Sequence, residues 1–331
     1  MLSQGKLCFA KIVLGAAKLP LRIESWRGCG PSRPPGGWAM MPSFAMGAGC
    51  LFGVDFWRFL CGKILTDEGN EGIIVEDGDF PQRGKVRRTG MDYGIQMYSV
   101  RDITGKDLRG ALKRIAQIGY RYVEFAGFFG APASEVKEWL LEYGLKVSGT
   151  HTGLRELEQD IDGVIRYHKE LGNPCIIIPG HDLSSQSKLD DFIEKVNAFQ
   201  PLLAKEGIGL GFHNHSSEFL PNRDGSMVHE QLVFRTKLTM EVDTYWYYNA
   251  TGFSARGIME RLKDRMPFIH IKDGFRGGEG MPLGCGQAPL KDVYDCAREN
   301  NMLMIVESES LRPDGLTEAK ICYDWLKAQE A

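Results

Sequence analysis

Residues 206–219 read EGIGLGFHNHSSEF, and this stretch indicates both a fold and a place for chemistry. A glycine follows a helical pattern, and the apolar segment 208–212 is typical of a buried strand. The strand then ends in a polar cluster: His213, Asn214, His215 and, three residues on, Glu218. Packing does not require such residues at a strand end. We therefore predict that this strand end forms one corner of a metal site at the mouth of a barrel.

The same alternation of short apolar runs and amphipathic helical segments continues from residue 93 to the C-terminus. The predicted strands are 93–100, 122–126, 146–151, 175–180, 208–215, 238–245, 268–273 and 302–308. Several helix-to-strand turns carry glycine where a helix C-cap favours it: Gly119, Gly144, Gly172 and Gly207. Eight such units in about 240 residues predict an α/β fold, the (β/α)8 TIM barrel. An open doubly wound sheet is the alternative, but the segment SVRDITGKDL after the first strand lacks its GxGxxG loop.

Charge and composition limit the class of protein. The 331-residue chain has a formal net charge of −3 and 43% hydrophobic residues, sufficient for one large barrel plus an extension. The near-neutral charge argues against nucleic acid as a partner. No apolar run approaches the roughly 20 residues that span a bilayer, which argues against a membrane protein. None of the eight cysteines is spaced as CxxC, and scattered thiols favour a reducing compartment, so we expect a cytoplasmic protein.

The first 90 residues lack the pattern of the barrel. Segment 29–37 reads CGPSRPPGG, and an acidic, glycine-containing run at 67–79 precedes a basic patch at 83–88. Three interpretations remain open: a targeting peptide, a small domain, and a translated leader upstream of a start at Met91. The leader is the leading hypothesis, because two arginine codons just before Met91 can read AGGAGG, a bacterial ribosome-binding sequence. We predict an irregular extension over residues 1–90 and a barrel over residues 91–331.

Polar residues recur at the predicted carboxyl ends of the strands, where the chemistry of a TIM barrel lies. They are Gln96, Tyr98, Glu124, His151, His213, His215, Glu241, Asp243, His270, Lys272, Glu307 and Glu309. Residues two apart on a strand share a face, and strands about 4.8 Å apart allow neighbouring ends to reach one ion. Histidine and carboxylate without thiolate suit Mn²⁺, Co²⁺, Zn²⁺, Fe²⁺ or Mg²⁺. Elsewhere, we expect His168 at the surface and His181 and His229 in loops.

Several phrases in this region resemble one known family. They are GIQMYSVRD at 94–102, YVEFAG at 122–127, LKVSGTH at 145–151, LGFHNHSSEF at 210–219, EVDTYW at 241–246, IHIKDG at 269–274 and VESE at 306–309. In this order they are similar to the sugar phosphate isomerase/epimerase family, which has the xylose isomerase-like TIM barrel. The resemblance covers nearly all of residues 91–331 and none of residues 1–90.

The resemblance implies a metal centre at the ends of strands five to eight. Such relatives typically hold one divalent ion with Glu, Asp, His and Glu, which implies Asp243, His270 and Glu307 as ligands here. On strand five the sequence departs from the family, because His213 stands where the Glu is usual. We assign His213 as the fourth ligand and keep Glu218 as a second candidate. The departure puts in doubt the symmetrical proton transfer between two glutamates that the epimerases use.

A site of this kind suits proton abstraction next to a carbonyl, with an enediolate as the intermediate. The candidates for the base are Glu307, His151, His215 and Glu218, and Lys272 is a candidate for neutralising an oxyanion or protonating a leaving group. The candidate substrate-binding residues are Gln96, Tyr98, Glu124 and Trp246. The function predicted first is a metal-dependent isomerase or epimerase acting on a small carbohydrate or keto-sugar.

Two alternatives stay open. Expulsion of a β-substituent from the same intermediate would make the protein a lyase, resembling inosose dehydratases or enzymes that cleave 3-keto-glycosides. A sugar-binding or partner subunit without catalysis is the second alternative, and metal content separates it from both enzymes. A nuclease on the same barrel needs a basic groove, which the charge disfavours. Barrels of this kind often pair as homo-oligomers, although no segment identifies an interface.

Overall fold

Eight parallel strands form one sheet in the computed structural model, which describes residues 91–330. The strands are β1 Gly94–Gln96, β2 Tyr122–Phe125, β3 Lys146–His151, β4 Cys175–Ile178, β5 Gly209–His213, β6 Thr239–Glu241, β7 Phe268–Ile271 and β8 Leu303–Val306. The predicted extension, residues 1–90, lies outside the described residues. Between β7 and β8, the two-residue strands Asp273–Gly274 and Gly280–Met281 form a small antiparallel hairpin.

The strand order is that of a barrel. In space the strands follow β6-β5-β4-β3-β2-β1-β8-β7, so β1 pairs with both β2 and β8. A parallel bridge between Asp243 and His270 joins β6 to β7, and the His270 amide donates to the Val242 carbonyl at 3.1 Å. This bridge closes the sheet into a barrel, and the predicted (β/α)8 fold is confirmed.

Helices follow the strands and cover the outside of the barrel. Those of seven or more residues are α1 Leu108–Ile118, α2 Ala133–Tyr143, α3 Leu154–Leu171, α4 Gln186–Ala204, α5 Val228–Arg235, α6 Thr244–Thr251, α7 Arg256–Leu262, α8 Leu290–Glu299 and α9 Gly315–Ala328, and a four-residue helix, Arg101–Thr104, precedes them. The four predicted cap glycines have positive φ: Gly119 at 126°, Gly144 at 67°, Gly172 at 78° and Gly207 at 74°. Within residues 91–330, no helix is both long and apolar enough to cross a membrane.

Seven of the eight strands are shorter than predicted, and only Lys146–His151 keeps its predicted bounds. In two of the seven, a side chain that caps the following helix ends the strand. The predicted strand 93–100 ends at Gln96, whose Oε1 accepts the amide of Tyr98 at 3.0 Å and begins a 3-10 helix, Met97–Val100. The predicted strand 238–245 ends as β6 at Glu241, and the Asp243 side chain caps α6 by accepting the Trp246 amide at 2.8 Å. These polar side chains therefore end their strands as well as facing the mouth.

The inside of the barrel has an apolar floor. Cys175, Ile177, Phe268 and Ile305 form a buried cluster separate from the larger core between strands and helices. Because alternate residues share a face, His270 lies above Phe268 and Glu307 lies above Ile305. On these strands, the polar residues that face the inside of the barrel therefore begin two positions after the apolar ones.

The structure corrects the expectation for two histidines. His168 is not at the surface: it is 3% exposed on α3, and its Nδ1 lies 3.1 Å from Nδ2 of Asn173. Its helical spacing from Leu171 already signalled a buried face. His229 is not in a loop but in α5, where it is 2% exposed against the ring of Phe219. His181 lies in an exposed loop, as expected.

Candidate metal centre

The ends of β5 to β8 bring four potential ligands together. His213, Asp243, His270 and Glu307 each offer an atom, and these atoms all lie within 4.8 Å of one another. All four side chains are buried. A cluster of histidine and carboxylate in this arrangement can hold a divalent metal ion.

The hydrogen bonding of this cluster is incomplete in a way that fits a cation. Asp243 Oδ2 and His270 Nδ1 are buried and make no hydrogen bond. His270 Nδ1 lies 3.4 Å from Oε2 of Glu307, so a ring nitrogen and a carboxylate oxygen face each other. Asp243 Oδ2 has only a longer ion pair, to Lys272 Nζ at 3.7 Å. Burying polar atoms without hydrogen bonds is costly, and an ion bound between these two would satisfy them. The donor set therefore fits the metal that the sequence implies.

A second layer of carboxylates and imidazoles lies against these ligands, formed by Glu124, His151 and Glu241. Glu124 Oε2 is 2.6 Å from His270 Nε2, and Glu241 Oε2 is 3.3 Å from both His270 Nε2 and His213 Nδ1. His151 Nε2 lies 2.9 Å from Glu241 Oε2 and 3.3 Å from Glu124 Oε2. His151, His213, Glu241 and His270 also form a group whose atoms lie within 4.8 Å of one another.

Electrostatics in this layer follow from burial and close pairing. Burial disfavours the charged form of His270, but the carboxylates of Glu241 and Glu124 outweigh it and hold its pKa well above the usual value. Burial also disfavours the charged form of His151, but Glu124, with a smaller contribution from Glu241, outweighs it and raises the pKa of His151 to about 10. Burial raises the pKa of Asp243 to about 7, with a smaller contribution from Glu307 against the lowering effect of Lys272.

Lys272 is a fully buried cation beside the four potential ligands. Its Nζ lies 2.8 Å from Oε2 of Glu309, 3.2 Å from Oε2 of Glu307 and 4.8 Å from the centre of the Trp246 ring. Burial opposes the charge, but Glu307 and the other carboxylates raise the pKa of Lys272 above its usual value. The hairpin lies against it, since a Cβ on Gly280 would be 3.3 Å from Lys272 Cε. Lys272 therefore remains charged although the backbone of the hairpin covers it.

The loop after β5 holds His215 near the mouth. The His215 amide donates to Glu218 Oε2 at 2.6 Å, and Ser217 donates its hydroxyl to Glu218 Oε1 at 2.8 Å. The His215 ring is half-buried, with its centre 5.0 Å from that of His213 and 5.8 Å from that of Trp246. Burial lowers the pKa of His215, which keeps the imidazole neutral. Glu218 thus binds the loop backbone, while the His215 ring stays half-buried between His213 and Trp246.

The predicted substrate-binding residues lie at different depths. Gln96 and Glu124 are fully buried, and Gln96 Nε2 donates a hydrogen bond to Glu124 Oε2 at 2.8 Å. Tyr98 is 44% exposed, with the guanidinium of Arg101 4.3 Å from the ring centre. Trp246 is half-buried, and its indole nitrogen makes no hydrogen bond. Tyr98 and Trp246 are therefore the two that a ligand entering the mouth can reach.

Sequence reasoning gave no role to Asn214. Its Oδ1 accepts the Asp243 amide at 3.1 Å, and its Nδ2 donates to the Asp243 carbonyl at 3.4 Å. This pair of bonds ties the end of β5 to the backbone of a potential ligand. The only signal in the sequence was its place between His213 and His215, on the opposite face of the strand.

Comparisons with known proteins agree on the fold. A family model described as xylose isomerase-like TIM barrel matches residues 112–329. A sugar phosphate isomerase/epimerase structure from Parabacteroides distasonis is 22% identical, with a TM-score of 0.64 over 73% of this chain and 95% of that chain. A D-allulose 3-epimerase from Methylomonas sp. is 14% identical, with a TM-score of 0.55 over 73% and 98%. An L-ribulose 3-epimerase is 13% identical, with a TM-score of 0.55 over 72% and 94%. No curated protein matches the sequence.

Proposed function

The chain belongs to the xylose isomerase-like TIM barrel family, and on that premise we propose that it is a metal-dependent sugar isomerase or epimerase. The observation that carries the proposal is the pair of buried atoms without a hydrogen bond, Asp243 Oδ2 and His270 Nδ1, next to His213 and Glu307. These four residues would hold one divalent ion, Mn²⁺, Co²⁺, Zn²⁺, Fe²⁺ or Mg²⁺. The epimerases among the similar structures support a small carbohydrate or keto-sugar as substrate.

The proposed reaction removes a proton from a carbon next to a carbonyl. When bound, the ion supplies Lewis acidity to the carbonyl and the adjacent hydroxyl oxygen of the sugar. His215 is the preferred base, because its half-buried ring is neutral and lies at the mouth. Lys272 supports the developing negative charge of the enediolate, since burial keeps its ammonium group close to the ligands. Trp246 offers an apolar face beside His215 for the sugar ring.

A lyase on the same site is the second candidate, and one observation favours it. His213 occupies the strand-five position, so a carboxylate opposite Glu307 is missing from the proposed ligand set. With a single base, the same enediolate can break the bond to a β-substituent, which leaves with a proton from the buried ammonium of Lys272, instead of being reprotonated on a neighbouring carbon. Product mass separates the two reactions, because isomerisation leaves it unchanged and elimination releases a fragment.

The first experiment is metal analysis of the full chain. We expect about one divalent ion per chain in the wild type and loss of that ion in a folded His270→Ala/Glu307→Ala variant. A Lys320→Ala/Asp324→Ala variant, which removes an exposed ion pair on α9, is the matched control and should keep the ion. A folded wild type that takes up no Mn²⁺, Co²⁺ or Zn²⁺ would overturn the proposal in favour of a sugar-binding or partner subunit. Keto-sugars are then tested with the loaded protein.

The proposed setting is the cytoplasm. Of the four cysteines among the described residues, Cys175, Cys296 and Cys322 are buried free thiols and Cys285 is an exposed one. An exposed free thiol is best maintained in a reducing compartment, which is the basis for this placement.

A further inference from the structure

The orientation of His270 depends on a contact beneath the proposed ligands. Glu124 Oε2 lies 2.6 Å from His270 Nε2, and both side chains are fully buried. A carboxylate oxygen only accepts, so the short contact places a proton on Nε2. The other ring nitrogen, Nδ1, faces Glu307 Oε2 at 3.4 Å, and loss of its proton on metal binding would direct its lone pair at the proposed ion.

Three neighbouring features hold Glu124 in this position. Gln96 donates from Nε2 to the same carboxylate oxygen at 2.8 Å, and its own Oε1 is held by the Tyr98 amide. Gly149 on β3 leaves space for the carboxylate, because a Cβ there would lie 2.8 Å from Glu124 Oε1. The pairing of β2 with β3 shifts register between Val123 and Glu124, an irregularity of the kind that re-aims a side chain.

We propose that Glu124 is a positioning residue that fixes the His270 ring so that Nδ1, and not Nε2, binds the metal ion. The inference rests on the proposed function, since it needs an ion at His213, Asp243, His270 and Glu307. Glu124 has no direct contact with substrate in this scheme. It acts through His270, as partners that bind the far nitrogen of a ligating histidine generally do.

One rival arrangement uses the same atoms differently. His151, His213, Glu241 and His270 also lie close enough to share an ion. An ion in that deeper group would take the lone pair of His270 Nε2, which cannot then donate a proton to Glu124. Two ions per chain, or one ion that survives loss of Asp243, would therefore overturn the proposal. The Asp243→Asn variant tests the second of these outcomes.

The decisive experiment measures metal affinity in full-length variants with substitutions at position 124. Co²⁺ is titrated in competition with a chelator for wild type, Glu124→Ala, Glu124→Gln and the control Thr150→Val. Thr150 is equally buried on β3, but its hydroxyl lies near Asn173 and His168, away from the ligands. We expect Glu124→Ala to weaken Co²⁺ binding roughly 10- to 100-fold. Glu124→Gln should lose less, because an amide oxygen still accepts from Nε2, and Thr150→Val should match wild type.

A second readout keeps the test informative if Glu124→Ala folds poorly. In the Co²⁺-loaded protein, proton NMR should show a shifted, exchangeable ring N–H signal from His270. In Glu124→Gln this signal should persist but exchange faster with solvent. Equal Co²⁺ affinity in wild type and both Glu124 variants would overturn the positioning role while leaving the proposed function intact. Failure of wild type to bind Co²⁺ would instead overturn the proposed function itself.

Discussion

Asp243 and His270 face each other across the parallel bridge that joins β6 to β7. Both are also proposed ligands of one ion, and each has a buried atom without a hydrogen-bond partner. The backbone contact that completes the barrel thus sets the separation of two proposed ligand side chains. An ion bound there would connect the two strands a second time, through side chains.

Metal binding is therefore expected to stabilise the barrel. An ion at 100 times its dissociation constant adds about 2.7 kcal/mol to the free energy of unfolding, if the unfolded chain does not bind it. For a domain of this size, this corresponds to a rise in Tm of about 5–10 °C. Thermal unfolding with and without Mn²⁺ or Co²⁺ measures the shift. The His270→Ala/Glu307→Ala variant should show none, and an equal shift in that variant would assign the effect to another site.

Replacing Lys272 should affect stability and activity differently. Lys272→Met leaves the carboxylates of Glu307 and Glu309 buried or half-buried without their cation, so we expect a loss of about 3–5 kcal/mol in the metal-free protein. Added metal should recover part of this stability, because the ion supplies positive charge to Glu307. Turnover should stay at least about 100-fold below wild type. Urea unfolding and kcat measure the two effects, with the exposed Lys291→Met as control; full activity in Lys272→Met would contradict its role.

The role of His215 as base predicts loss of turnover without loss of metal. His215→Asn removes the imidazole, and we expect kcat to fall about 10²- to 10⁴-fold while metal content remains at the wild-type level. Glu218→Gln is the matched comparison, since it keeps an acceptor for the His215 amide and should cost far less. Steady-state kinetics combined with metal analysis test this pair. A larger loss in Glu218→Gln than in His215→Asn would move the base to Glu218.

Acidification should weaken the fold through buried neutral histidines. Burial lowers the pKa of His229 to about 4, with Arg261 and Arg265 also lowering it and Glu230 raising it, against an ordinary value of 6.5. Between these values the unfolded chain binds more protons than the folded chain, so stability falls as pH falls below about 6.5. From pH 7 to pH 5, His229 should contribute a loss of about 2 kcal/mol. Burial also lowers the pKa of His168 to about 4, so His168 should likewise contribute a loss of stability as the pH falls.

Urea unfolding at pH 7 and pH 5 checks this expectation. His229→Phe removes one titrating group, and its neighbour Phe219 indicates an environment that accepts an aromatic ring. The variant should lose less stability than wild type over the same pH range. An identical loss in both proteins would place the acid sensitivity in other groups.

Much of the fold could be predicted because its signals are local. Strand periodicity, the glycines at helix ends and the polar residues at strand ends can each be identified within a few positions. Strand limits were less accurate, since Gln96 and Asp243 end their strands by capping the next helix. The prediction that His168 lies at the surface was wrong for a different reason. Its spacing along the helix indicated a buried position, but its polarity suggested an exposed one.

The sequence alone determined the barrel and the residues at its mouth, because alternation and spacing along the chain decide which faces are apolar and which strand ends are polar. Tertiary structure alone decided which of those residues meet. Glu124 and His270 are 146 positions apart, yet closure of the sheet places Oε2 and Nε2 2.6 Å from each other. Such a contact depends on strand register and on the space left by Gly149, two properties that arise only when separate strands pair.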